Sequence, residues 1–232
     1  LKERKMEMLN EEVRDFTRKQ FEAELVNPIE LVYFTEEKSP LIIPGQPVSS
    51  DCQYCQEIKQ LLEELSSLSD KIKLTVYDFK KDAARAAKYQ LDKIPAIIIK
   101  TDSDTGIRFF GIPAGYEYMS LLEAMVDASR GQTELSPATR EALKKLTREV
   151  NIQIFVTPTC PYCPMAVRLA HQMALESPLI TASMIEAAEF PELTQKYDVM
   201  GVPKSIFNET ITLEGAVPEE VYLEHVLKAA GV

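Results

Sequence analysis

The residues of this chain best suited to redox or metal chemistry are its four cysteines. They fall in two short boxes, Cys52-Gln53-Tyr54-Cys55 and Cys160-Pro161-Tyr162-Cys163. Thiols two residues apart can hold a metal, form a cross-link, or cycle between dithiol and disulfide. A four-cysteine zinc site places its two pairs about 15 to 20 residues apart. These pairs are separated by 108 positions, so one zinc would be shared only if the boxes faced each other. No metal is expected. Four cysteines are also too few for a secreted disulfide scaffold, and this spacing is poor for structural cross-links. A cysteine–histidine nucleophile fails as well. The only histidines are His171 and His225. His171 follows Cys160 on the same predicted helix, about 16 Å along its axis at about 1.5 Å per residue. Both histidines read as helix-surface or packing residues.

Reversible thiol chemistry fits the placement better. Each box opens a predicted helix just after a predicted strand. The helix N-terminus offers unpaired N–H groups and a positive dipole end, and both favour a thiolate. Lowering a thiol from about 8.5 to about 7 takes about 2 kcal/mol of preferential anion stabilisation. The dipole supplies about 0.3–2 kcal/mol of that, and N–H donors and the neighbouring thiol supply the rest. Cys52 and Cys160 then read as nucleophiles. Cys55 and Cys163 read as the thiols that resolve the mixed disulfide. Pro161 is expected at the first helical position, where a missing N–H costs little. Gln53 keeps its N–H, so unequal redox potentials are expected.

The elements that carry the boxes repeat. A shift of 108 maps Cys52 and Cys55 onto Cys160 and Cys163, Lys88-Tyr89 onto Lys196-Tyr197, Ile94-Pro95 onto Val202-Pro203, and Asp78 onto Glu186. Two copies of one unit are therefore expected, at residues 1–130 and 131–232, with SRGQTELSP (129–137) as the linker. In the first unit EEVRDFTRKQFEAEL has helical periodicity, with Val13, Phe16 and Phe21 on one face. IELVYF reads as a buried strand. The box helix repeats Ile58, Leu61, Leu62 and Leu65 at spacings of three and four. KLTVYDF, AARAAKYQL, AIIIK, IRFF and YMSLLEAMVDAS complete an α, β, α, β, α, β, β, α order. The second unit follows it as ATREALKKLTREV, IQIFVT, CPMAVRLAHQMAL, LITASMI, FPELTQKY, KSIF, TITLEG and PEEVYLEHVLKAA. The opening β-α-β predicts parallel strands, and AIIIK with IRFF predicts an antiparallel hairpin. Each unit is thus an α/β, mixed four-stranded sheet flanked by helices. The first carries an extra loop before its box, EEKSPLIIPGQPVSSD, read as a flap near Cys52.

Composition narrows the partners. The net charge of −10 disfavours nucleic acid and anionic membranes, both of which need a basic face. No run of about 18 apolar residues suggests a membrane span. The charged start, LKERKMEMLNEEVRDF, has no apolar signal core, and a cytoplasmic location is expected. No GxGxxG fingerprint occurs, so electrons must come from an external donor.

A strand, a CxxC box opening a helix, and an apolar residue with proline before a hairpin together resemble the thioredoxin fold. CPYC resembles the glutaredoxin dipeptide. CQYC followed by CPYC in tandem units, with phrases such as VTPTCPYCP, resembles the glutaredoxin-like protein disulfide oxidoreductases of hyperthermophiles. The resemblance implies reduction, oxidation and isomerisation of protein disulfides. It implies no cofactor beyond the redox-active disulfides, and a thioredoxin-reductase-like flavoprotein as electron source. It also implies that Pro95 and Pro203 are cis and face the disulfides, with Ile94, Val202, Tyr54 and Tyr162 completing the substrate-binding positions. Read from the residues alone, the prolines are strand starts and the tyrosines surface side chains. Thioredoxin's buried aspartate is missing in the second unit, where Ile154 matches it. Asp78 and Glu186 are candidate substitutes or structural carboxylates. Lys204 follows Pro203 where the first unit has Ala96. It either favours the Cys160 thiolate, making the second site more reactive, or is an exposed strand lysine. The alternative function is an electron-relay module like the N-terminal region of the flavoprotein that serves bacterial peroxidases. In that protein usually one unit keeps its cysteines, whereas here both boxes are intact.

Overall fold

The computed structural model describes residues 8–36 and 52–232; the loop EEKSPLIIPGQPVSSD lies almost wholly outside them. In the first half, α1 (Glu11–Glu24), β1 (Ile29–Thr35), α2 (Cys55–Ser66), β2 (Ile72–Asp78) and α3 (Ala83–Lys88) precede the hairpin β3 (Ala96–Lys100)/β4 (Asp104–Phe110) and α4 (Glu117–Arg130). The second half repeats this order. It runs α5 (Pro137–Leu143), β5 (Val150–Val156), α6 (Cys163–Glu176), β6 (Ile180–Glu186), α7 (Pro191–Lys196), β7 (Lys204–Phe207), β8 (Ile211–Glu214) and α8 (Glu219–Ala230).

The two four-stranded sheets join into one of eight, in the order β2-β1-β3-β4-β6-β5-β7-β8. β1 pairs parallel with β2 and antiparallel with β3, β3 pairs antiparallel with β4, and the second half repeats this. The seam is a parallel pairing of β4 with β6, Ile107 opposite Ala182 through Phe110 opposite Ile185. Strands β1, β4, β6 and β5 all point the same way, so both cysteine boxes lie at the same, C-terminal end of the strands.

The central strands are buried on both faces, so they read as unbroken apolar runs. Along β1, Leu31 and Tyr33 enter one core while Val32 and Phe34 enter the other. The first core is continuous across both units and holds Phe21, Leu62, Leu122, Val167 and Val226, from α1, α2, α4, α6 and α8. The second lies under α3 and α7.

Some local expectations shift. Phe16 is exposed, because the buried stripe of α1 runs Val13, Thr17, Phe21 at steps of four and Phe16 sits about 100° away from it. Thr17 is held there by the Tyr118 hydroxyl at 2.7 Å. The expected helix ATREALKKLTREV ends at Leu143, because β5 begins at Val150. Of the expected linker 129–137, residues 131–136 lie between α4 and α5, with Leu135 buried.

Candidate functional site: two disulfides on one sheet edge

Each box closes on itself. Cys52 is bonded to Cys55 and Cys160 to Cys163, with Cα atoms 5.5 Å apart in both. All four cysteines are buried. From β1 to β5 the sheet crosses four strand spacings, about 19 Å at about 4.8 Å each. That separation leaves the boxes too far apart to share one zinc, and puts each disulfide out of direct reach of the other.

The helices begin at the second cysteine of each box, as the segment CPMAVRLAHQMAL predicts, but the first cysteine and Pro161 lie before the first helical turn rather than in it. Tyr54 and Tyr162 are N-caps, and the helices begin at Cys55 and Cys163. Pro161 therefore precedes the helix, and Pro164 occupies its first turn. The reason is a turn, Cys160 N–H to Thr157 O at 3.1 Å, that places Cys160 before the helix axis. Cys160 still benefits from the helix, because the Cys163 N–H donates to its Sγ at 3.1 Å. This is the anion-stabilising contact a thiolate nucleophile needs.

Pro95 and Pro203 are buried, and both are in cis peptide bonds, after Ile94 and Val202. The Val202 carbonyl oxygen lies 3.7 Å from Cys160 Sγ, so the proline loop meets the sulfur. Tyr162 is exposed, whereas Tyr54 packs against the core.

The charged candidates sit differently. Asp78 accepts the N–H groups of Lys80 and Lys81 at 3.1 and 2.8 Å, and Glu186 accepts that of Glu189 at 2.8 Å. Both order the turn after their strand. Lys204 is buried, with Nζ 2.8 Å from Asp198 O and 3.2 Å from Glu214. Lys204 is therefore not the exposed strand lysine of the alternative reading, and its ammonium is engaged by these acceptors. His171 is a packing residue, buried against the Phe109 ring at 4.8 Å. Burial pushes its imidazole down to about 3.

The sequence reading missed two carboxylates, each lent by one unit to the surroundings of the other. Tyr33 occupies the place in β1 that Ile154 holds in β5, two residues before the strand end. Its hydroxyl donates to Cys55 O at 2.9 Å. Neither strand therefore carries a carboxyl beneath its box. Glu117, at the start of α4 in the first unit, is buried, and neither of its oxygens has a hydrogen-bond partner. Burial pushes its carboxyl up to about 7. Helix α4 runs alongside α6. Gln172 Nε2 donates to Asp127 at 2.9 Å, and Arg168 lies 3.6 Å from Glu123. Both pairs share an offset of 45 residues, which sets Glu117 level with Tyr162. The Tyr116 N–H donates to Pro158 O at 3.0 Å, two residues before Cys160. In the reverse direction, Glu189 of the second unit accepts the Ile112 N–H at 2.5 Å. The adjoining Gly111 N–H donates to Pro95 O at 3.3 Å. Burial, with the charges of Glu186 and Glu57, pushes Glu189 up to about 7. Nothing in the sequence set Glu117 apart, because α4 also holds Glu123 and Asp127 and the expected helix began at Tyr118.

Gly115 makes this approach possible. Its φ is +60°, and a Cβ there would overlap the Pro158 carbonyl oxygen. Gly115→Ala should destabilise the chain by at least about 2 kcal/mol, from left-handed strain plus backbone overlap. Denaturant midpoints check the stability loss. Activity losses at the second site that exceed those at the first check that the displaced loop is the one leading to Cys160.

Fold and boxes together define a thioredoxin-like disulfide oxidoreductase with two CxxC sites, a redox enzyme. A thioredoxin domain model matches residues 150–228. Among solved structures, a protein disulfide oxidoreductase from Aeropyrum pernix K1 is 32% identical with a TM-score of 0.85, covering 96% of this chain and 94% of that one. The NTD_N/C domain of alkylhydroperoxide reductase AhpF from Enterococcus faecalis is 25% identical with a TM-score of 0.82, covering 94% and 99%. An alkyl hydroperoxide reductase component from Staphylococcus aureus is 29% identical over 66% of this chain, which spans 28% of that protein's length. The chain belongs to the protein disulfide oxidoreductase family represented by the Aeropyrum protein.

Proposed function

We propose that the chain reduces, oxidises and isomerises disulfides in other proteins through two CxxC boxes, one in each of the units 1–130 and 131–232. The observation that carries this reading is a pair of intact boxes at matching positions, at the same end of one sheet. At the second site, the Cys160 thiolate attacks a client S–S bond. One client sulfur joins Cys160 and the other leaves as a thiolate that takes up a proton. Cys163, once deprotonated, attacks Cys160. The mixed disulfide breaks, the second client thiol is released, and the Cys160–Cys163 disulfide forms. The client gains two electrons and two protons. Regeneration draws on an external reductant, for which a thioredoxin-reductase-like flavoprotein is the proposed source. Oxidation of clients is the reverse sequence. Among the described residues no helix is long and apolar enough to cross a membrane. With the acidic charge, this supports a cytoplasmic protein with no membrane or nucleic-acid partner.

The likeness to the AhpF domain favours a second reading, relay of electrons to one dedicated peroxidase or other partner. Substrate breadth separates the two. With dithiothreitol as reductant, the proposed enzyme reduces several unrelated protein disulfides, insulin among them, well above the uncatalysed rate. Failure on all of them, with efficient transfer to a single peroxidase, would establish the relay.

A further inference from the structure

Four large apolar side chains stand exposed in the box helix or next to segments that meet Cys160 or its loop, and among the described residues the first-unit counterparts of two of them are acidic. Tyr162 lies inside the box and is 65% exposed; Met165, two residues after Cys163, is 61% exposed. Met200 is 86% exposed and lies two residues before Val202, whose carbonyl meets Cys160 Sγ. Tyr116, 51% exposed, comes from the first unit, tied by its N–H to Pro158. Shifted by 108, Met165 becomes Glu57, Met200 becomes Asp92, and Pro161 and Pro164 become Gln53 and Gln56. Tyr54 keeps its type but packs against the core.

We propose that the second site receives client disulfides flanked by exposed apolar side chains, as in unfolded polypeptides, on a collar of Tyr116, Tyr162, Met165 and Met200, and that the first site does not. This rests on the reading that the chain acts on protein disulfides. The occupant follows from the sulfur. A client joined to Cys160 must lay its flanking residues across these four side chains. Folded proteins keep most large apolar groups inside, so an unfolded chain is the client that presents several beside one cysteine. Methionine is unbranched and polarizable and packs against varied shapes, which suits clients of no fixed sequence. Several such side chains gathered at one reactive sulfur form an interaction surface rather than scattered exposure. At the first site, Asp92 stands exposed beside Lys93, and an apolar segment laid there would desolvate that charged pair, which selects against it.

The test uses chains with one working site each, Cys52→Ser/Cys55→Ser and Cys160→Ser/Cys163→Ser. Two disulfide peptides share cysteine spacing, one flanked by Leu and Phe, the other by Ser and Gln. The second site should favour the apolar peptide by at least about tenfold in kcat/KM, about 1.4 kcal/mol, and the first site should show no such preference. Met165→Glu/Met200→Asp, which grafts first-site residues onto exposed positions, should bring the second-site ratio close to one. Reading a ratio cancels any change in Cys160 reactivity common to both peptides. An unchanged ratio in the graft, or the same preference at the first site, overturns the proposal. If hydroxyethyl disulfide is turned over but neither peptide is, the protein-disulfide reading itself fails, and the collar with it.

Discussion

Serine at both Cys52 and Cys160 is expected to lower disulfide turnover on the order of a thousandfold or more, the scale of losing an essential nucleophile, while either single replacement leaves a working enzyme. The reason for independence is geometric. Each disulfide closes within its own box, each unit carries its own proline loop, at Pro95 or Pro203, and about 19 Å of sheet separates the boxes. No sulfur of one site can resolve a mixed disulfide at the other without a large rearrangement. Serine fails because its hydroxyl is not ionised near neutral pH and cannot enter thiol–disulfide exchange. Turnover of a model protein disulfide by wild type, the two single variants and the double variant checks this. A Cys160→Ser chain as inactive as the double variant would refute independence and reduce the first unit to docking or relay. Replacing Cys163 instead should trap the mixed disulfide at Cys160, visible by mass spectrometry as a covalent client adduct.

Much of this architecture was legible because its determinants are local. Ile58, Leu61, Leu62 and Leu65 share one helical face, and all are buried. AIIIK and LVYF are apolar without alternation because β3 and β1 are covered on both sides. The 108-residue register carried through to matching strand ends at Asp78 and Glu186. The seam was not read from the residues and shows only in burial. β4 and β6, which join, are buried nearly throughout, whereas the outer strands β2 and β8 mix exposed and half-buried positions. Polar outer strands blunt further pairing. What could not be read were groups whose meaning comes from the other unit. Glu117, Glu189 and Tyr116 are ordinary residues of their own elements. Only the docking of α4 on α6 and of Gly111–Ile112 on Glu189 gives them a site. Lys204 was read from its neighbour in sequence rather than from its partners within the same unit. Its neighbour in sequence is Pro203, but its partners in space are Asp198 and Glu214.

Glu117→Gln should raise stability and lower second-site activity, and the two effects should share one pH dependence. The carboxyl is pushed from its usual 4.5 up to about 7 by burial. Between those values the folded chain binds more protons than the unfolded one, so stability falls as pH rises. The stabilising contribution is complete below about 4.5 and lost as pH passes about 7, amounting to about 3 kcal/mol in total. Glutamine cannot ionise, so the variant should gain on wild type with rising pH, by several degrees in Tm at pH 8 for a chain of this size. Glu189, also held near 7, keeps its own dependence in both chains, so the difference between them isolates Glu117. The activity effect runs the other way. Cys163 must lose a proton before it attacks the mixed disulfide, and Glu117 is the buried carboxylate level with its box. General-base assistance is worth about a hundredfold or more where it operates. In a Cys52→Ser background, wild-type turnover should therefore rise through pH 7, and Glu117→Gln should flatten that limb and lose at least about tenfold at pH 7.5. A stabilised variant with an unchanged pH–rate profile would leave Glu117 as a buried charge with no part in proton transfer. Both changes together would mean that the first unit keeps a destabilising acid because the second unit's chemistry needs it.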